Sequence, residues 1–158
     1  MRDVQVSQGV EWAMHICTLL SEAPDGVPVP RRTLAAAYAL PEPYLAKCLK
    51  RLAAAGVLDS TSGPRGGYRL AKPADRITAL AVVEAVEGTA PTFTCRELRR
   101  RGTVAATREE CREKCAVHVL MDDADAAWRA RLAETTIADI RGRRPATLTA
   151  RAAATLGW

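Results

Sequence analysis

Apolar positions recur at helical spacing near the start of the chain and again in its second half. From Ser7, placed to cap its start, the pattern predicts a helix to about Glu22, with Val10, Trp12, Met14, Ile16, Leu19 and Leu20 as its apolar residues. Glu11 and His15 interrupt this run one helical turn apart, so both side chains point the same way, and Thr18 and Glu22 extend the same polar stripe. "APDGVPVP" breaks the helix, and Pro30 suits the first turn of a short second one, "PRRTLAAAYA". "LPEP" makes a tight turn, because a residue before proline avoids the helical region. A third helix follows in "PYLAKCLKRLAAAG", where Tyr44, Leu45, Cys48, Leu49 and Leu52 hold helical spacing and Gly56 is placed to stop it.

Two strand-like pieces, "VLDS" and "YRL", then flank a turn rich in glycine and proline, which reads as a hairpin with a basic tip. Three helices followed by a hairpin is the order of a winged helix-turn-helix. "ITALAVVEAVEG" predicts a fourth helix, capped by Thr78 and stopped by Gly88. After an irregular stretch, a long helix is predicted from near Glu109 to about Ile140, its stripe formed by Val117, Leu120, Ala124, Ala127, Trp128, Arg131, Leu132 and Ile137. A long amphipathic helix appended to a small DNA-binding domain is most simply a dimerisation helix; packing within its own chain is the alternative. The fold expected is thus mostly α with a small β-hairpin wing: a winged helix-turn-helix over residues 1–75, a cluster-binding segment and dimerisation helix over 76–140, and a basic, only partly ordered tail over 141–158.

The 158 residues suit one domain, or a small domain with an oligomerising extension. Alanine and leucine dominate and aromatics are few, which favours helices. No apolar run approaches the roughly 18–20 residues needed to cross a bilayer, and "MRDVQVSQGVEW" lacks the features of a secretory signal, so a cytoplasmic protein without a membrane partner is expected. Charge changes the picture more. Residues 26–72 hold eight basic side chains against Glu42 and Asp59, a local excess of +6 within a net charge of +5. Such an excess is the footprint of a polyanion-binding surface, or a solvated positive face; with the helix-turn-helix order above, the polyanion expected is double-stranded DNA.

In a helix-turn-helix the second helix of the motif enters the major groove. Tyr44 and Lys47 lie close on one face of that helix and are candidates for base or phosphate contact, while Lys50 and Arg51 suit phosphates. Arg65, in the hairpin tip "SGPRGGY", can enter the minor groove, or is simply an exposed turn arginine.

"LPEPYLAKCLKRLAAAGVLDSTSGPRGGYRLAKP" resembles the helix-turn-helix and wing of the IscR/NsrR-type iron–sulfur transcription regulators, through "YLAK", "L…AG" and "GGYRL…P". The resemblance covers about residues 7 to 140. It implies a homodimer on a dyad-symmetric operator, with a cluster between the wing domain and the long helix. Cys95, Cys111 and Cys115 fall where that family carries its ligands, although their C-x15-C-x3-C spacing is wider than the short, similar gaps usual there. "GVEWAMH" with these cysteines is most similar to a redox-sensing member whose two-iron cluster has mixed ligands. That similarity implies a 2Fe-2S cluster held by Glu11, His15, Cys111 and Cys115, contributed by both chains, with Cys95 in reserve. Cys111 and Cys115 share the i, i+4 relation of Glu11 and His15 if their segment is helical.

A mixed set is chemically coherent, because histidine in place of thiolate raises a cluster's potential. Trp12 is large for a ligand-bearing helix; core packing is its default role, and redox coupling to the helix-turn-helix is the sharper one. Cys17 and Cys48 fit apolar core positions, and His118, three residues after Cys115, is a further possible ligand. The expected function is a redox-responsive transcription regulator acting as a repressor, not an enzyme, and with no small-molecule substrate. The rival readings are a nitric-oxide or iron-availability sensor with a 4Fe-4S cluster, a zinc-bound or metal-free winged-helix protein, and a thiol-redox enzyme using Cys111 and Cys115.

Overall fold

The computed structural model describes residues 6–158, so the first five positions of the expected DNA-binding domain lie outside the described residues. The described chain groups into two units: positions 6–88 with Leu132–Trp158, and Thr89–Arg131.

The first unit is built on α1 (Gln8–Leu20), whose Val10, Ala13, Ile16, Cys17, Leu19 and Leu20 are buried. Ser7 holds the N-cap position, yet its hydroxyl makes no capping bond; its backbone N–H is donated to the Glu87 carboxylate at 3.1 Å. The polar stripe read from the sequence is only half real. Glu11 and His15 are exposed, but Thr18 is buried and donates its hydroxyl to the Met14 carbonyl at 2.7 Å.

After α2 (Arg31–Ala37) comes α3 (Glu42–Ala54). The amphipathic pattern of α3 decides what it offers: Leu45, Cys48, Leu49 and Leu52 are buried, which leaves Tyr44, Lys47, Lys50 and Arg51 outside. Gly56, at φ +71°, takes the left-handed conformation that ends the helix, and the Val57 N–H returns to the Leu52 carbonyl. The hairpin pairs β1 (Leu58–Thr61) with β2 (Gly67–Leu70) in antiparallel register, Leu58 opposite Leu70 and Thr61 opposite Gly67. Val29 adds a single bridge outside β2, exchanging both backbone hydrogen bonds with Tyr68 at 2.8 and 2.9 Å.

Helix α4 (Ala79–Glu87) starts and stops as predicted: the Thr78 hydroxyl accepts from the Ala81 N–H, and Gly88 sits at φ +85°. It packs on α1 and α3, so the body carrying the helix-turn-helix runs past the boundary expected near residue 75.

The single long helix predicted from Glu109 to about Ile140 is not formed. Residues 108–115 are turns, bends and irregular chain, and two helices follow, α5 (Ala116–Ala133) and α6 (Ile137–Gly142). The break has a long-range cause. Ala79 donates to the Thr135 carbonyl and Ile137 to the Ile77 carbonyl, so residues 135–137 are held extended against 77–79. Thr136 and Asp139 then form a capping box that restarts the helix, and Ile137 is fully buried.

The tail, expected to be only partly ordered, forms α7 (Ala146–Leu156), for which an alanine-rich run after Pro145 is well suited. It is tied to α1: the Glu22 carboxylate accepts from Arg144 at 2.7 Å and from the Thr149 hydroxyl at 3.1 Å.

The second unit carries the cysteine segment and most of α5. Asp125 on α5 accepts from the N–H and hydroxyl of Thr92 and pairs with Arg129, which also donates to the Thr89 carbonyl. No residue of α5 is buried, and Val117 and Leu120 are exposed at 61% and 65%. No helix among the described residues is long and apolar enough to cross a membrane.

Candidate nucleic-acid interface and cysteine segment

On the outer face of α3, the Lys47 ammonium lies 5.5 Å from the centre of the Tyr44 ring, and Tyr44 is 63% exposed. The two are neighbours on one face, as their spacing requires. Lys50 also faces outward. Glu42, in the first turn of α3, is paired with Arg31 of α2 at 2.8 Å, an exposed ion pair linking the two helices of the motif. Arg65 is exposed at the wing tip, between Gly63 at φ +99° and Gly66.

Arg51 is placed differently from its neighbours. Its Nη1 donates to the Val86 carbonyl at 2.8 Å, in the last turn of α4. A cation there satisfies a carbonyl with no partner inside its own helix and suits the negative end of the dipole. Sequence spacing could not show this, because a phosphate-gripping arginine and a helix-capping one look alike in a basic run. The two roles separate by salt. Each lost phosphate contact lowers the slope of log affinity against log salt by about 0.9. Lys50→Gln is expected to flatten the slope by about that amount per contact, and Arg51→Gln to leave it unchanged while lowering the urea midpoint. A flattened slope in Arg51→Gln would return Arg51 to the phosphate-binding set.

On α1, Glu11 and His15 share an exposed face. The His15 ring lies 5.4 Å from that of Tyr38, and the Tyr38 hydroxyl approaches the His15 carbonyl at 3.5 Å. Tyr38 ends α2, and burial raises its phenol above the usual tyrosine range. Between Glu11 and His15 in sequence, Trp12 lines a groove of about 420 Å³ with Gln8, Ala39, Leu40, Pro41 and Tyr44. One stretch of α1 thus meets the end of α2 through His15 and lines a groove with the turn of the helix-turn-helix through Trp12, a placement that sequence spacing alone did not reveal.

The cysteines divide as their patterns suggest. Cys17 and Cys48 are core residues; burial pushes the Cys17 thiol up to about 12, and Cys48 donates its S–H to the Gly9 carbonyl. Cys95, Cys111 and Cys115 are half-buried and not in disulfides. Cys111 and Cys115 are not on a helix, so the i, i+4 geometry considered for them does not hold. Cys111 sits in turns braced by Thr107 and Glu110, each accepting the other's backbone N–H through its side chain.

Two of the sulfurs have backbone donors: the Glu97 N–H on Cys95 Sγ at 3.4 Å, and the His118 N–H on Cys115 Sγ at 3.3 Å, in the first turn of α5. Cluster-binding cysteine sulfurs commonly accept backbone hydrogen bonds of this kind. The segment therefore fits a sulfur-ligated metal group in chemistry. Among the described residues, however, no three histidine, cysteine or carboxylate side chains gather closely enough to hold a metal ion. Glu11 and His15 belong to the first unit and the three cysteines to the second. His118 has a partner of its own: its Nε2 is 3.4 Å from the Asp122 carboxylate, its ring meets Phe93 edge-on, and Asp122 also holds Lys114.

Residues 6–142 match the Rrf2 family, described as iron-dependent transcriptional regulators. The transcriptional regulator IscR of Erwinia tasmaniensis is 33% identical over 98 residues, 61% of this chain and 53% of that one. Among solved structures, CymR, the global cysteine regulator of B. subtilis, superposes with a TM-score of 0.71 at 23% identity, covering 89% of this chain and 98% of its own. IscR of T. potens does so at 0.65 and 20%, covering 86% and 85%. At these identities the solved structures speak for the fold alone.

Proposed function

We propose a specific role for this chain, which belongs to the Rrf2 family of DNA-binding transcriptional regulators: a homodimeric, redox-responsive repressor whose operator affinity follows the state of a 2Fe-2S cluster. Glu11, His15, Cys111 and Cys115 would hold the cluster, with ligands drawn from both copies, and Tyr44, Lys47, Lys50 and Arg65 would meet the DNA. One observation carries the coupling. The turn of α1 that presents Glu11 and His15 to solvent also carries Trp12, which lines one groove together with Tyr44 of α3. A change of charge at Glu11 and His15 therefore acts beside the recognition helix. The coupling needed is modest, since about 1.4 kcal/mol changes operator affinity tenfold. Val117, Val119 and Leu120, exposed along α5, support that helix as the dimer contact.

The cluster, when bound, supplies a one-electron change of charge. The chain's own part is to hold it with two thiolates, a carboxylate and an imidazole, a set less negative than four thiolates. Trp12 transmits the resulting shift of α1 to the helix-turn-helix.

The test is anaerobic purification of the full chain, with iron, acid-labile sulfide and operator affinity measured on one sample through reduction. Equal iron and sulfide, lost in Glu11→Ala and His15→Ala but kept in His118→Ala, is the expected result. Loss only in His118→Ala would move the imidazole ligand to the side chain already oriented by Asp122. A second reading, a metal-free regulator responding through its thiols, is supported by Cys95, Cys111 and Cys115 being half-buried and free of disulfides. Colourless protein whose operator affinity still follows thiol oxidation would establish it.

A further inference from the structure

We propose that Arg99 clamps the two arms of the cysteine segment together and fixes a positive charge against the backbone on both sides of Cys111. The clamp stands on geometry alone, whereas the use of its charge rests on the cluster reading above.

The first arm is residues 95–99. Glu97 takes a left-handed backbone conformation, φ +49°, which is uncommon for a side chain of its size. In that conformation its N–H reaches Cys95 Sγ, and its carboxylate receives Arg99 on both oxygens, Nε at 2.6 Å and Nη2 at 3.2 Å. The same guanidinium then crosses to the second arm. Nη1 donates to the Glu110 carbonyl at 3.3 Å and Nη2 to the Glu113 carbonyl at 2.9 Å. Those two carbonyls flank Cys111, and the second lies two residues before Cys115. The Arg99 carbonyl accepts from Ala106 at 2.7 Å, closing the loop between the arms.

The guanidinium makes four bonds to a carboxylate and two carbonyls, and a lysine ammonium, with three donors on one nitrogen, cannot make them all. The Glu97 carboxylate, which accepts the guanidinium's hydrogen bonds, keeps Arg99 firmly protonated. The unusually long gap between Cys95 and Cys111 is thus bridged by one side chain. Its charge would also have a use: a cation bonded on both sides of Cys111 would favour an added electron on a cluster held there, so its removal would make reduction harder.

Arg99→Gln and Arg99→Lys in the full chain separate the two parts. In metal-free protein, amides of residues 107–118 are expected to exchange hydrogen at least about tenfold faster in both variants, with α1 and α3 unchanged. In protein reconstituted with iron and sulfide, Arg99→Gln is expected to shift the midpoint potential negative and Arg99→Lys to stay near the wild type. Unaltered exchange in Arg99→Gln overturns the clamp. A wild-type potential in Arg99→Gln overturns the role of the charge. If the wild-type chain takes up no iron or sulfide, the cluster reading and the use of the charge fall together, and the metal-free exchange still decides the clamp.

Discussion

Gly67→Ala is expected to lower folding stability by about 3–5 kcal/mol, from crowding of the backbone and loss of two hydrogen bonds. A Cβ at this position would overlap the Val29 carbonyl and crowd Pro30, both main chain and unable to swing aside. Something must separate, and the nearest interactions are the two hydrogen bonds between Val29 and Tyr68. They anchor β2 to the strand-like residue before α2, so their loss frees the wing from the helix-turn-helix. Operator affinity should therefore fall in whatever fraction stays folded, because Arg65 is no longer held at its distance from α3. Pro64→Ala, at the exposed tip, is the control and should change stability little. Urea denaturation followed by operator binding at fixed salt reads both effects. A Gly67→Ala protein as stable as the wild type would show that the wing is not pinned through Val29.

What the sequence disclosed follows from the range of the forces involved. The face of α3 was legible because burial of Leu45, Cys48, Leu49 and Leu52 repeats at the helical period and forces Tyr44, Lys47 and Lys50 outward. The cap at Thr78 and the stops at Gly56 and Gly88 were legible because each is settled within a few residues. The break between α5 and α6 was not, because the partners of Thr135 and Ile137 lie some 60 residues earlier, at Ala79 and Ile77. The same holds for Arg51, whose acceptor belongs to another helix, and for Arg99, whose carbonyl partners stand across an irregular loop. Periodicity also suggested a helical pairing of Cys111 and Cys115, but the side chains of Thr107 and Glu110 satisfy the local backbone in a turn instead. Residue types able to ligate a metal were legible in the sequence; among the described residues they do not gather into a metal site.

Arg144→Ala should cost about 3–5 kcal/mol, a large effect for a residue in a stretch that reads as a basic tail. Its side chain is 13% exposed and that of Glu22 only 4%, with 2.7 Å between them. Removing the arginine leaves a buried carboxylate with the Thr149 hydroxyl as its remaining donor. Exposed ion pairs contribute at most about 1 kcal/mol, so burial is what makes the expected loss large. Replacing both partners by apolar residues, Glu22→Leu with Arg144→Met, should cost less than either single change, because no charge is then stranded. Single losses below about 1 kcal/mol would mean that water reaches the pair and that α7 is not anchored through it. The pair also bears on the candidate ligand face. Burial raises the Tyr38 phenol, and Arg144 pulls in the opposite direction. The arginine therefore acts on the same tyrosine whose ring meets His15. Loss of Arg144 should drive the phenol's titration still higher, a shift readable by ultraviolet absorbance on the folded variant. In Glu22→Gln the opposite sign is expected, since the Glu22 carboxylate itself raises Tyr38. Opposed shifts from the two variants would place the anchor of α7, Tyr38 and the His15 face in one electrostatic neighbourhood, which makes the C-terminal helix part of the regulator's working structure.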